Sequence, residues 1–331
     1  MRCAVIGGGA WGTALADLLA RNAHDVVLWA YERDVVHAVN DRHVNPRFLP
    51  GATLASTLRA THALGEAAAG ADLVAYVTPS HVLRTVLRQQ PAAVPAGATL
   101  VVATKGIERG SLALMTDVVA DELPGRPVVA LSGPSFATEV IAGQPTAVVA
   151  ASSDPHAATL AQHAFSSDTF RVYTHHDVTG VEIGGALKNV IAVATGIAEG
   201  LGLGANPRAA LITRGLAEIT RLGVALGASA RTFAGLAGIG DLVLTCTGAL
   251  SRNRALGLDL ARGAPLDALL AARDTVAEGV VTTQSAHALA AREGVEMPIV
   301  AAVYRILFER HAPRAAIAEL MSRELRAEVD P

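Results

Sequence analysis

Short apolar runs recur along the first half of the chain, at Cys3–Ile6, Val26–Trp29, Leu73–Val77, Thr99–Ala103, Val128–Leu131 and Thr146–Ala151. Each is too short for a core helix and is expected to form a strand. Helical spacing appears between them. After Gly12, for example, Leu15, Leu18 and Leu19 share one face. Strands alternating with helices predict a mostly parallel sheet with right-handed crossovers, which gather the strands' carboxyl ends along one edge.

The pattern changes near Thr179 and reads as helical from there on. Asn206-Pro207 is expected to start a helix that runs to about Leu226, with Asn206 as cap and Pro207 first in the helix. Met297-Pro298 and Ala312-Pro313 start two more. The expected class is α/β, with an N-terminal Rossmann-like domain at 1–179 and an all-α C-terminal domain at 180–331. A length of 331 residues suits two domains. With 51% hydrophobic but only 4% aromatic residues, their cores must be built from Ala, Val, Leu and Ile.

A formal charge of -3 offers no footprint for nucleic acid. Cys3 and Cys246 fit a reducing, cytoplasmic setting rather than a disulfide framework. Gly7-Gly8-Gly9 interrupts any signal-like apolar segment, and no uninterrupted apolar run approaches the ~20 residues of a membrane span. The eleven histidines lack metal-ligand spacing, His175-His176 reading as surface or loop, so no metal is expected. The basic residues sharpen the picture. Of 27, only Lys105 and Lys188 are lysine, which suggests sites needing a compact, titratable ammonium.

Gly7-x-Gly9-x-x-Gly12 follows the first strand and opens a helix, with a second strand after it. That context makes the glycines a pyrophosphate cradle. After the second strand, Glu32 suits a ribose hydroxyl, Arg33 a 2′-phosphate and Tyr31 an adenine face, so NADH and NADPH both stay open. Lys105 in Thr104-Lys105-Gly106 and the loop Ser132-Gly133-Pro134-Ser135 each follow a strand at the ligand-binding edge. Lys188, in Gly184-Gly185-Ala186-Leu187-Lys188-Asn189, is expected near the start of an apolar helix, where desolvation makes it a better proton donor. The same residue types also suit a lysine stem lying along a helix surface. Asp241 and Thr245 fall one helical turn apart, and Lys188 is the obvious partner for the acid. Ser251-Arg252-Asn253-Arg254 reads as a capped helix start suited to a phosphate, or as a solvated surface cap.

Taken in order, these motifs resemble bacterial-type NAD(P)-dependent glycerol-3-phosphate dehydrogenase. The match runs through GGGAWGTALA at 7–16, ATKGIE at 103–108, LSGPSFATE at 131–139, GGALKNVIA at 184–192, NPRAALITRGLAE at 206–218, GLAGIGDLVLTC at 235–246, SRNRALG at 251–257 and VAEGVVT at 276–282. The resemblance implies reversible reduction of dihydroxyacetone phosphate to sn-glycerol 3-phosphate, feeding phospholipid synthesis. It makes Lys188 the proton-transferring lysine and Asp241 the acid beside it. Lys105 contacts substrate and cofactor, and Gly133 and Ser135 line the substrate loop. Ser251, Arg252 and Asn253 hold the phosphate, with Arg252 also near the cofactor. Asn189 and Thr245 complete the pocket. Ala10, Trp11, Tyr31, Ala137, Val276 and Glu278 match cofactor contacts. Ala10 stands where the family often has Ser, so one side-chain contact to the pyrophosphate is missing while the backbone contact survives. Tyr31 stands where the family has His or another residue, which leaves NADH and NADPH both open. A homodimer is expected, its partners otherwise limited to a small phosphate substrate. The rivals are a related lysine-dependent hydroxyacid dehydrogenase, which would need a carboxylate site, and a non-catalytic dinucleotide sensor.

Overall fold

The computed structural model describes residues 1–89, 92–272, 278–325 and 327–328. Strands β1 (Arg2–Ile6), β2 (Asp25–Trp29), β3 (Arg59–Thr61), β4 (Leu73–Tyr76), β5 (Thr99–Val102), β6 (Val128–Ser132), β7 (Thr146–Ala151) and β8 (Phe170–His175) form one sheet. Their order is β3-β2-β1-β4-β5-β6-β7-β8. Every pairing is parallel except that of β6 with β7. The first six strands have the doubly wound order, whose switch point lies between β1 and β4.

Helices α1 (Ala10–Arg21), α2 (Arg33–Arg42), α3 (Leu64–Ala68), α4 (Leu83–Arg88), α5 (Met115–Glu122), α6 (Ala137–Ile141) and α7 (Pro155–Phe165) connect the strands. Leu15 and Leu19 of α1, Val35 and Val39 of α2 and Phe165 of α7 bury themselves on one face of the sheet. Leu64 of α3, Leu83 and Val86 of α4 and Met115 and Val118 of α5 do so on the other. Both faces are covered, which is why the central strands are unbroken apolar runs. Two strands, β3 and β8, leave little apolar pattern in the sequence. β3 has only three residues, led by Arg59, and β8 alternates buried Phe170 and Val172 with exposed Arg171 and Tyr173, as an edge strand does. Of the pair expected at the surface or in a loop, His175 closes β8 and His176 is exposed beyond it, their rings stacked.

Beyond the sheet come α8 (Val178–Gly200), α9 (Ala205–Ala225), α10 (Asp241–Thr247), α11 (Arg252–Ala261), α12 (Leu266–Ala271), α13 (Glu278–Arg292), α14 (Pro298–Phe308) and α15 (Pro313–Met321). α8 is the axis of this half. It is buried from Gly180 to Ala198, and residues of α9, α10, α11, α13 and α14 share its apolar cluster. Its length and apolar content would suit a membrane span, yet all of that stretch is buried inside the protein. Glu182, Lys188 and Asn189 interrupt its apolar run. Asp177 fixes its start by accepting from Gly180 N at 2.9 Å. The same carboxylate accepts from Ser229 N at 2.9 Å and Thr232 Oγ1 at 2.6 Å, so one side chain ties three segments together.

One predicted boundary shifts. α9 begins at Ala205 behind an extended Gly204, so Asn206 lies in the first turn and is not the cap. Pro207 is tolerated there because the first N–H groups of a helix have no intrahelical partner. Met297 and Ala312 precede α14 and α15 as expected, each with proline opening the helix.

Candidate active site

The nucleotide cradle forms at the switch point. Gly7 leaves β1 at φ +132°, and a Cβ there would lie 2.8 Å from the Val77 carbonyl that follows β4. A Cβ on Gly12 would overlap the Gly7 carbonyl, so the turn closes only with glycine at both positions. Gly9 precedes α1 with no side-chain cap and open space beside it, which leaves first-turn N–H groups for an anion. The Thr78 hydroxyl, after β4, is buried with no hydrogen-bond partner. An uncapped helix start at a glycine turn and an orphan hydroxyl together fit a dinucleotide. Ala10 and Trp11 occupy the first turn of α1, and the Trp11 ring lies 6.5 Å from that of Phe170. Tyr31, after β2, is 80% exposed, and Arg33 opens α2. Ala137 opens α6, which packs on α1.

The two lysines meet across one carboxylate. Lys105, in the loop after β5, donates to Asp241 Oδ2 at 2.6 Å, and Lys188 donates to Asp241 Oδ1. Asp241 opens α10, directly after a kinked turn at Leu236–Gly240, and is fully buried. Lys188 lies in the middle of α8 rather than near its start, because Asp177 caps the helix well upstream. α8 approaches so closely because it carries Gly184 against the Ala237 carbonyl and Gly185 against the Ser132 hydroxyl. Thr245 donates to the Asp241 carbonyl at 2.6 Å, one turn on, as the spacing predicted.

Burial is the main influence on both partners. It lowers the Lys188 ammonium to about 7; the Asp241 charge opposes this and the Lys105 charge adds to it. Burial alone would raise the Asp241 carboxyl, but the two lysine charges outweigh it and hold the group below its ordinary range. Lys105 also donates to the Gly133 carbonyl at 3.4 Å, which in turn accepts from Ser135 Oγ at 3.0 Å.

Ser251 caps α11 by accepting from Arg254 N at 3.3 Å. Arg254 is held by Glu199 at 2.9 and 2.6 Å. Asn253 donates to Asn189 Oδ1 at 2.9 Å and accepts from Gly279 N at 3.0 Å, joining α8, α11 and α13. Glu278, first in α13, accepts from Ser80 Oγ at 2.8 Å and Ser80 N at 3.3 Å across to the end of β4. Burial raises the Glu278 carboxyl, and the Arg252 charge opposes that rise. Val276 lies outside the described residues.

Thr78, Ser80 and Glu182 are not singled out by the sequence, and Ser132 is named there only as part of its loop. Thr78-Pro79-Ser80 follows β4 just as the other two loops follow β5 and β6, which was the available signal. Among the described residues, no group of three or more His, Cys, Asp or Glu could hold a metal.

Comparison with known proteins agrees with this geometry. The family model described as NAD-dependent glycerol-3-phosphate dehydrogenase N-terminus matches residues 2–158, and the corresponding C-terminus model matches 177–318. A glycerol-3-phosphate dehydrogenase (NAD(P)+) of Geobacter sulfurreducens is 56% identical over 99% of this chain and 98% of its own. One from Syntrophotalea carbinolica is 54% identical over 100% of both. The crystal structure of glycerol-3-phosphate dehydrogenase from Coxiella burnetii superposes with a TM-score of 0.94 at 42% identity, covering 97% of this chain and 99% of that one. The chain belongs to the NAD-dependent glycerol-3-phosphate dehydrogenase family and catalyses the reversible NAD(P)H-dependent reduction of dihydroxyacetone phosphate to glycerol 3-phosphate.

Proposed function

We propose that Lys188 exchanges the proton with the oxygen on the central carbon of the substrate, and that Asp241 and Lys105 set its charge and position. The observation that carries this reading is the buried Asp241 carboxylate, shared between the only two lysines of the chain. When bound, the nicotinamide supplies or accepts the hydride. Lys188, desolvated on α8, releases a proton to the developing alkoxide near neutral pH and takes it back in the oxidative direction. Lys105 adds positive charge beside the reacting oxygen, where preorganised charge is most effective.

Ser251, Arg252 and Asn253 hold the phosphate at the start of α11, helped by its N–H groups and dipole. Asn189 and Thr245 line the same pocket, with Gly133 and Ser135 on the sheet side. Anchoring the phosphate away from the reacting carbon orients the carbonyl toward Lys188. Gly7, Gly9, Ala10, Trp11, Gly12, Tyr31, Arg33, Ala137 and Glu278 would hold the cofactor, and Val276, outside the described residues, is proposed with them on the family resemblance alone. Residues 1–179 bind it and 180–331 supply the proton and phosphate groups, a division supported by α8 starting at Val178. The product serves glycerophospholipid synthesis.

Oxidation of NADH and of NADPH by dihydroxyacetone phosphate, in wild type and Lys188→Ala, tests the assignment and ranks the cofactors. The variant is expected to lose about 100- to 10,000-fold in kcat. Undiminished turnover would remove Lys188 from the role. A homodimer is proposed as well, so sedimentation should give twice the 33.9 kDa chain mass. A single-chain mass at working concentration would exclude it.

A further inference from the structure

Lys105 borders a second feature besides Asp241. A small recess lies between β5, β6 and α8, lined by Val102, Thr104, Lys105, Ser132, Glu182 and Gly185. It has room for about one water molecule. The Ser132 hydroxyl is buried and has no hydrogen-bond partner. Buried hydroxyls are seldom left unpaired, so this atom marks a place for a bound water. Gly185 keeps the space open, since a Cβ there would lie 2.5 Å from Ser132 Oγ and 3.7 Å from Lys105 Cδ.

Across the recess stands Glu182, buried on α8 one face-repeat before Gly185. Its carboxyl accepts from Thr116 N at 3.0 Å and from Thr116 Oγ1, at the start of α5. A carboxyl has more acceptor sites than these two bonds use, so it can also engage a water. The Lys105–Asp241–Lys188 bridge then continues from the recess to the reacting oxygen.

We propose that a water held between Ser132, Lys105 and Glu182 completes a proton relay, through which Glu182 resupplies the proton that Lys188 gives up in each reduction. This proposal rests on the Lys188 reading above. In each turnover one Lys188 N–H bond breaks and one O–H bond forms on the product, leaving a neutral amine. Lys105 passes a proton to Asp241, which passes it to Lys188. Lys105 is refilled from the water, and the water from the Glu182 carboxylic acid, which must then take up one solvent proton before the next turnover. No electrons move along this path. In the oxidative direction every transfer reverses.

Burial raises the Glu182 carboxyl to about 7; the Thr116 bonds oppose the rise and the Asp117 charge of α5 adds to it. Near neutral pH the group therefore both releases and regains a proton. Glu182 does not touch the substrate. It is a relay group acting through Lys105.

The test is stopped-flow reduction of dihydroxyacetone phosphate by full-length protein with NADH in a weakly buffered pH-indicator solution. NADH absorbance follows the hydride, and the indicator follows proton uptake. In wild type the two signals should coincide. In Glu182→Gln, first-turnover hydride transfer should stay within about twofold, while proton uptake and steady-state kcat slow by about tenfold or more. Coincident signals in Glu182→Gln overturn the relay. Should that variant fail to fold, Ser132→Ala carries the test, with a proton lag expected and its absence overturning the proposal. Full turnover in Lys188→Ala would instead sink the underlying donor assignment, so the two failures are distinguishable.

Discussion

Asp241 shows how one residue makes a buried charge tolerable and useful. An unpaired carboxylate at full burial would be strongly disfavoured, and here two ammonium groups offset the desolvation. Removing one partner of such a network typically costs about 3–5 kcal/mol. The lysines were readable in the sequence because arginine takes every other basic position. Glu182 was not, since one carboxylate in an apolar run carries no local sign of the helix it will meet. The charge logic makes a prediction with a definite sign. Reduction needs Lys188 protonated, so its rate falls as pH rises through that pKa. The Lys105 charge helps to lower it. Lys105→Met should therefore move the descending limb of the kcat/KM profile to higher pH, with lower activity throughout. A limb that stays in place or moves down would contradict this.

At the scale of elements, strands with unbroken apolar runs were readable and those without were not. β1, β2, β4, β5, β6 and β7 lie where periodicity put them, within about a residue at each end. β3 and β8 escaped because a short or half-exposed strand leaves little pattern. α8 was readable as apolar, and the change of pattern near Thr179 falls one residue inside it. Lys188, however, was expected near the start of a helix and lies in its middle, because Asp177 caps the helix well upstream. Element joints also hold hidden acids. Glu218 of α9 accepts from Ile299 N at 2.7 Å and Val300 N at 3.2 Å, pinning the start of α14. Burial raises its carboxyl to about 7, opposed by those two bonds and by Arg221 and Arg323. A raised folded pKa favours the protonated form, so this stability is complete below the unfolded carboxyl range. It is lost as pH rises through about 7. Glu218→Gln removes that titration. The fall in Tm between pH 6 and pH 8 should therefore shrink by on the order of a few degrees. An unchanged difference in thermal melts would show that Glu218 does not titrate in this range.

At the scale of the molecule, the doubly wound sheet and the helical half meet along one edge. The switch point supplies the cradle at Gly7, the loops after β5 and β6 supply Lys105 and Gly133, and α8, α10 and α11 close over them. The motifs announced each part and the pairing of Lys188 with Asp241, but not that Lys105 joins them at one point. Those residues lie 53 and 136 positions apart, and only tertiary packing unites them. The account therefore stands on the bridge itself. Its most direct test is the pH dependence of kcat/KM for dihydroxyacetone phosphate reduction in Asp241→Asn against wild type. Asp241 is the charge that keeps Lys188 protonated against burial, so the variant should lose its activity at lower pH than wild type, opposite in direction to Lys105→Met. A descending limb that stays where it is in wild type would contradict the claim that Asp241 governs the proton on Lys188.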